Sequence, residues 1–300
     1  MVELKLVTEM TEIKLVHVFT HMGAGGNPCP IVADASALPS DDMQGIARHF
    51  GHESGFVLPA AGDDADYIFR FWVPRHEMEM CGHATIGALW ALATTGQLRT
   101  EQVRIDTRSG PVTGFVDLGR SDDPYVEITQ PVGRVLDLSR EEEGVVLAAL
   151  HISRADLLDL PIQNAITSRV KTLIPMKSVD RLNNLTSNML TTEQCCESIG
   201  STGLYPYAVE HQGGRRFEAR QFPKSSGYPE DAATGIAAAA LAFGLLKNGL
   251  VKADSERITV LQGRAMNSLS EIGIRLGFAG DRSVGCLLGG SVKLDRTHEW

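Results

Sequence analysis

Three side chains stand where the sequence could use them for proton transfer. Glu53, in Gly51-His52-Glu53-Ser54-Gly55-Phe56, lies between a glycine that ends a helical pattern and an apolar run that reads as a strand. His83 sits in Cys81-Gly82-His83-Ala84, where small neighbours leave backbone room for a ligand ahead of a run of small residues. Asp231 occupies a similar place in Glu230-Asp231-Ala232-Ala233, before a second alanine-rich run. A carboxylate and an imidazole held together can take a proton from one carbon and return it to another. Each residue also has an ordinary structural explanation. A glutamate at a strand start is usually solvated surface, and a His or Asp at a helix start serves as a polar cap. The catalytic expectation rests on convergence of all three on one cleft.

Other chemistries find less support in the spacing. Gly23-Ala24-Gly25-Gly26-Asn27-Pro28 looks like a phosphate loop, but no helical pattern follows it, so it reads as a hairpin turn. His76, Glu77, Glu79, Cys81 and His83 crowd together without a metal-ligand spacing, so no metal is expected. No GxSxG elbow is present. The five cysteines, Cys29, Cys81, Cys195, Cys196 and Cys286, are odd in number, scattered and without a CxxC pair, which argues against a disulfide framework.

Two successive sets of elements must carry these residues. Alternating apolar positions predict strands over 13–19, 31–33, 55–59, 67–73, 103–106, 114–117 and 125–129. Ser40 is a candidate N-cap for a helix ended by Gly51, and a small-residue helix is expected from Ala84 to about Thr95. In the second half Ser139-Arg140-Glu141-Glu142 forms a capping box, strands are expected over 171–175, 204–209 and 217–222, and an alanine-rich helix from Ala233 to about Leu246. Pro74 and Pro223 are 149 residues apart, and six of ten positions from Ala84 to Ala93 are identical at that offset to Ala233 through Ala242. The match suggests an internal duplication. Two helix N-termini facing one cleft would bind a carboxylate through backbone N–H groups without any Lys or Arg.

The 300 residues carry 28 Lys and Arg against 37 Asp and Glu, a formal charge of −9, with 43% hydrophobic residues. That balance disfavours nucleic-acid and anionic-membrane surfaces, which need a positive footprint. The N-terminal stretch mixes acidic with apolar residues and does not form a signal-like apolar core, so the chain reads as cytoplasmic.

Gly26-Asn27-Pro28, Glu53-Ser54-Gly55-Phe56, Cys81-Gly82-His83-Ala84-Thr85, Glu230-Asp231-Ala232-Ala233-Thr234-Gly235 and Gln262-Gly263 follow one another in an order that resembles the PhzF-like family, relatives of the phenazine-biosynthesis isomerase. The resemblance runs from about Ile13 to the last strands. It implies an α+β fold like that of diaminopimelate epimerase, with two pseudo-symmetric β-barrel-like halves, each around a central helix. The halves would comprise residues 1–130 with a returning strand at 283–300, and residues 131–282. It also implies a cofactor-independent isomerase acting on a small carboxylic acid, as in isomerisation of trans-2,3-dihydro-3-hydroxyanthranilate, and a homodimer.

By this resemblance Glu53, His83 and Asp231 are catalytic, and His52, Cys81, Gly82, Thr234, Gly235 and Ile236 contact substrate. His52 and Ile236 stand where the namesake has serines, which would alter the hydrogen bonds open to a substrate. Met80-Cys81-Gly82-His83-Ala84-Thr85 also resembles the first thiol motif of proline racemase, but Ala232 occupies the expected place of the second thiol. An amino-acid racemase and a non-catalytic acid-binding protein are the alternatives.

Overall fold

Two helices without a polar face organise the chain, each the centre of its own group of strands. The computed structural model describes residues 10–60, 62–120, 123–210, 213–280 and 282–300. The first nine residues, on which part of the leader argument rests, lie outside that set. One unit comprises the described parts of Met1–Val18, Pro28–Pro124 and Val292–Trp300, and the other those of Phe19–Asn27 and Tyr125–Ser291.

In the first unit β1 (Glu12–Val18), β2 (Asn27–Val32), α1 (Ser40–Phe50), β3 (Ser54–Pro59), β4 (Tyr67–Trp72), β5 (Glu77–Met78), α2 (Gly82–Thr94), β6 (Gln102–Asp106) and β7 (Val112–Val116) follow in order. Helix α1 joins the parallel strands β2 and β3, β4 runs back antiparallel to β3, and α2 joins β4 to the parallel β6. Met43, Ile46 and Ala47 form the buried face of α1, with Met43 and Ile46 clustered with Ile13, Val32 and Phe56. Pro39, not Ser40, is its N-cap, while Gly51 closes it in the left-handed region at φ 72°. From His83 to Leu92 every residue of α2 is buried, as expected of a helix surrounded by sheet.

The second unit contains β8 (Val126–Gln130), β9 (Arg134–Asp137), α3 (Arg140–Ala149), β10 (Gln163–Ile166), β11 (Val170–Met176), α4 (Val179–Asn183), α5 (Met189–Ser198), β12 (Gly203–Val209), β13 (Arg216–Ala219), β14 (Phe222–Pro223), α6 (Gly235–Lys247), β15 (Ile258–Gln262), β16 (Ser270–Ala279) and β17 (Arg282–Gly290). The wiring is repeated: α5 lies between the parallel β11 and β12, β13 runs back antiparallel, and α6 lies between β13 and the parallel β15. Ser139 and Glu142 make both bonds of the expected capping box. The final strand, β18 (Val292–Glu299), is antiparallel to β1 in the first unit. The return to that unit, expected at 283, comes at Val292, because β17 pairs with both β16 and β8.

The repeat is present, with one change of register. Ser40 and Met189, Ser54 and Gly203, and Tyr67 and Arg216, which open corresponding elements, are each 149 residues apart. The central helices instead begin at Gly82 and Gly235, 153 apart, rather than at Ala84 and Ala233. The helix identities counted at 149 are therefore four residues out of step with the structure. A helix repeats every ~3.6 residues, so alanine-rich sequences match almost as well one turn away as in true alignment.

Candidate functional site

In the first unit, β3 and α2 approach closely because Gly55 lacks a side chain. A Cβ there would lie 3.0 Å from Ile31 Cδ1 and 3.3 Å from both Ala84 Cβ and its carbonyl oxygen. This approach brings Glu53, just before β3, to the first turn of α2. Cys81 is the helix N-cap residue, Gly82 the first helical residue and His83 the second. The Cys81 thiol donates to Glu53 Oε2 at 3.5 Å and lies 3.4 Å from His83 Nδ1. His83 Nδ1 is also 3.4 Å from Glu53 Oε2. Cys29 ties the same loop down, its thiol donating to the Glu53 carbonyl at 3.0 Å.

Glu53 remains 37% exposed at its side chain while His83 is buried, with no hydrogen-bond partner at Nε2. One member of the pair can therefore reach a solute, and the other has an unused polar atom. Burial, then the Glu53 carboxylate and Cys29, push the Cys81 thiol well above its ordinary range, making it a proton donor rather than a resting thiolate. Burial of Cys29, reinforced by Glu53, does the same there. His52 is half-buried, and burial followed by the nearby His17 and His83 lowers its pKa, against the pull of Glu53. The Glu53 oxygen, Cys81 sulfur and His83 ring nitrogen lie within 4.8 Å of one another, so this trio could also ligate a soft divalent cation. It is the only such group among the described residues.

The second unit holds Asp231, Thr234, Gly235 and Ile236 at the start of α6. Thr234 is the N-cap residue, and Asp231 does not cap the helix as its position suggested. Its carboxylate instead accepts a 2.5 Å hydrogen bond from the Thr234 hydroxyl. The buried Gln262 fixes this turn: Nε2 donates to the Asp231 carbonyl at 2.7 Å and to Thr234 Oγ1 at 3.1 Å. Its Oε1 accepts from Tyr205 Oη at 2.9 Å and from the Thr234 N–H at 3.3 Å. Gly235 and Ile236 precede the first full helical bond, from Ala238 N–H to the Thr234 carbonyl, so their N–H groups belong to the anion-attracting end. Gly263 follows Gln262 at φ 89°, where a Cβ would lie 2.2 Å from the Ser268 carbonyl oxygen.

The structure thus gathers Glu53, Cys81 and His83 into one contact triangle and Asp231, Thr234 and Gln262 into one network. Sequence reading missed the Cys29 anchor, the Tyr205 hydroxyl and, above all, Lys171. This buried lysine lies within electrostatic reach of Asp231, although the carboxylate-binding scheme had assumed no basic residue. Its alternation with Leu173 in a strand-like run was the available signal.

Residues 16–291 match the family model described as phenazine biosynthesis-like protein. An uncharacterized isomerase of Clostridium acetobutylicum is 31% identical over 269 residues, covering 86% of this chain and 88% of the relative. The trans-2,3-dihydro-3-hydroxyanthranilate isomerase of Pseudomonas fluorescens is 28% identical over 251 residues, covering 83% and 84%. Among solved structures, the PhzF-family phenazine biosynthesis protein of Bacillus anthracis superposes with a TM-score of 0.85 at 22% identity, covering 98% of this chain and 99% of the other. Duplicated strand–helix units with buried central helices define the α+β class to which diaminopimelate epimerase-like folds belong. The chain belongs to the phenazine biosynthesis-like, or PhzF, family.

Proposed function

We propose that the protein is an isomerase that moves a proton within a small unsaturated carboxylic acid, in the manner of trans-2,3-dihydro-3-hydroxyanthranilate isomerase. The observation that carries this reading is the Glu53–Cys81–His83 triangle, a half-exposed carboxylate against a buried imidazole and a protonated thiol. Glu53 removes a proton from a carbon beside the unsaturated system. The electron pair of the broken C–H bond enters the conjugated system, and the protonated Glu53 returns the proton to another carbon of the same molecule. No oxidant, reductant or co-reactant enters the balance. His83 and Cys81 orient Glu53 and donate hydrogen bonds as its charge changes, with His52 and Gly82 beside the substrate. Asp231, Thr234, Gly235 and Ile236 supply a carboxylate, a hydroxyl and backbone N–H groups of the kind that the polar groups of such an acid require.

A two-thiol racemase mechanism lacks its second thiol, since Ala232 stands in that place, and burial keeps Cys81 protonated. Incubating trans-2,3-dihydro-3-hydroxyanthranilate with the enzyme in D2O tests the proposal. Conversion is expected, with deuterium at the new carbon position to the extent that the part-exposed Glu53 exchanges the abstracted proton with solvent before returning it, and Glu53→Gln lowers turnover by about 10²- to 10⁴-fold, the scale of a lost general acid/base. Wild-type turnover in that variant would remove Glu53 from the mechanism.

A further inference from the structure

Lys171 and Gln221 are buried polar side chains to which the fold gives no hydrogen-bond partner among the described residues. Lys171 is 5% exposed and makes no hydrogen bond or ion pair among the described residues. Gln221 is 1% exposed, and both atoms of its amide lack a hydrogen-bond partner. Strand register and packing place both beside Gly203. Thr172 pairs with Leu204 and Leu173 with Tyr205 in the parallel β11–β12 ladder, so one step back Lys171 stands beside Gly203. Neighbours in register project from the same face of a sheet. Lys171 therefore shares the face of Leu173, whose Cδ1 would be 2.3 Å from a Cβ on Gly244 of α6. It also shares the face of Tyr205, whose hydroxyl reaches Gln262.

Gly203 leaves that face bare, and the Gln221 amide occupies the space: a Cβ on Gly203 would be 2.1 Å from Gln221 Nε2. The Gln221 carbonyl accepts the Asp231 N–H at 3.0 Å, so the unpaired amide and the Asp231 carboxylate are borne by one backbone bridge. Asp231 also acts on the charge of Lys171, though burial is the larger influence on it. A strongly desolvated lysine and a buried amide without partners both cost stability. A ligand that satisfies both explains why they are tolerated at the start of α6.

We propose that Lys171 and Gln221 form a subsite for a carboxylate bearing a neighbouring hydroxyl or amino group. The Lys171 ammonium and the Gln221 Nε2–H donate to the carboxylate oxygens. Gln221 Oε1 accepts from the neighbouring hydroxyl or amine, a hydrogen bond that a simple anion cannot offer. The substrate class is thus a small hydroxy or amino acid, with Asp231 on the adjoining side. The identity of the whole molecule rests on the isomerase reading; the subsite does not.

Two probes separate these claims. Formate, the smallest carboxylate, is titrated into protein carrying ¹³C-labelled lysine ε-carbons, with the Lys171 signal assigned by its absence in Lys171→Met. A saturable shift in the wild type that is lost in Gln221→Leu is expected, and an unmoved Lys171 signal overturns the subsite. The second probe is 3-hydroxyanthranilate, the aromatic analogue of the isomerase substrate, followed by calorimetry. Lys171→Met weakens its binding about tenfold or more, the scale of a lost charged hydrogen bond, while unfolding at the same or higher denaturant concentration. Equal affinity in that variant overturns the proposal. If the wild type ignores 3-hydroxyanthranilate but formate moves Lys171, the substrate identity fails and the subsite stands.

Discussion

Replacing Lys171 by Met should stabilise the protein, by an amount that depends on pH in a defined window. Burial is the main cause that brings the Lys171 pKa from 10.5 down to about 8, with Asp231 opposing the fall. A displacement of that size corresponds to roughly 3 kcal/mol. The unfolded lysine keeps its proton up to about pH 10.5 and the folded one releases it near pH 8, so between those values the unfolded chain binds more protons. Wild-type stability therefore rises through this window, by up to roughly 3 kcal/mol from this residue, and below about pH 8 the full penalty of burying the charge is present. Methionine matches the lysine stem in length and carries no charge, so its repacking cost should stay below about 1.5 kcal/mol. Urea unfolding of wild type and Lys171→Met at several pH values from about 7 to 10.5 reads the difference directly, because other titrating groups cancel between the two proteins. The variant should be more stable near neutrality, and the gap should close as the pH approaches that of the free lysine. A variant less stable than the wild type at neutral pH, or a gap independent of pH, would refute the desolvated lysine.

Four further outcomes are expected. If Glu53 and Asp231 act on one substrate, Glu53→Gln and Asp231→Asn should be non-additive in kcat/KM, the double variant losing much less than the product of the single losses; strict additivity would separate them. Gly263→Ala should destabilise the fold by about 1–3 kcal/mol, since it forces a left-handed backbone on alanine and drives a Cβ into the Ser268 carbonyl, and melting temperature checks this. Cys29 and Cys81 are buried with raised pKa values. Both should therefore resist iodoacetamide in the native protein at about pH 8 and react on unfolding, which mass spectrometry of the labelled peptides measures. Ser139→Ala removes a two-bond capping box and should cost about 1 kcal/mol, read from denaturant midpoints.

The altered pocket residues bear on substrate choice more than on chemistry. His52, with its pKa lowered by burial and by two nearby histidines, offers a neutral ring where a hydroxyl was expected from the family. Ile236 gives a branched apolar side chain in the first turn of α6. Neither residue belongs to the Glu53–Cys81–His83 contact triangle, so proton transfer and recognition can diverge separately.

Local patterns in the sequence determined a good deal. Alternation placed β1, β3, β4, β11 and β12 within a residue or two, Gly51 marked the end of α1, and Ser139 with Glu142 marked the start of α3. All of these are short-range effects of side-chain periodicity and capping, and the spaced motifs carried the family. The register of α6 was not legible, because a helix of small residues is nearly self-similar after one turn. Nor was the Glu53–Cys81 contact, which spans 28 residues and depends on the missing side chain of Gly55. Lys171 was invisible for the same kind of reason: whether a lysine in a strand faces water or the sheet interior is settled by which strands lie beside it. Here β12 presents Gly203, and Gln221 fills the gap. The sequence specified which groups were available for chemistry; tertiary structure decided their partners and which charge was desolvated, because solvation and contact are properties of neighbours distant in the chain.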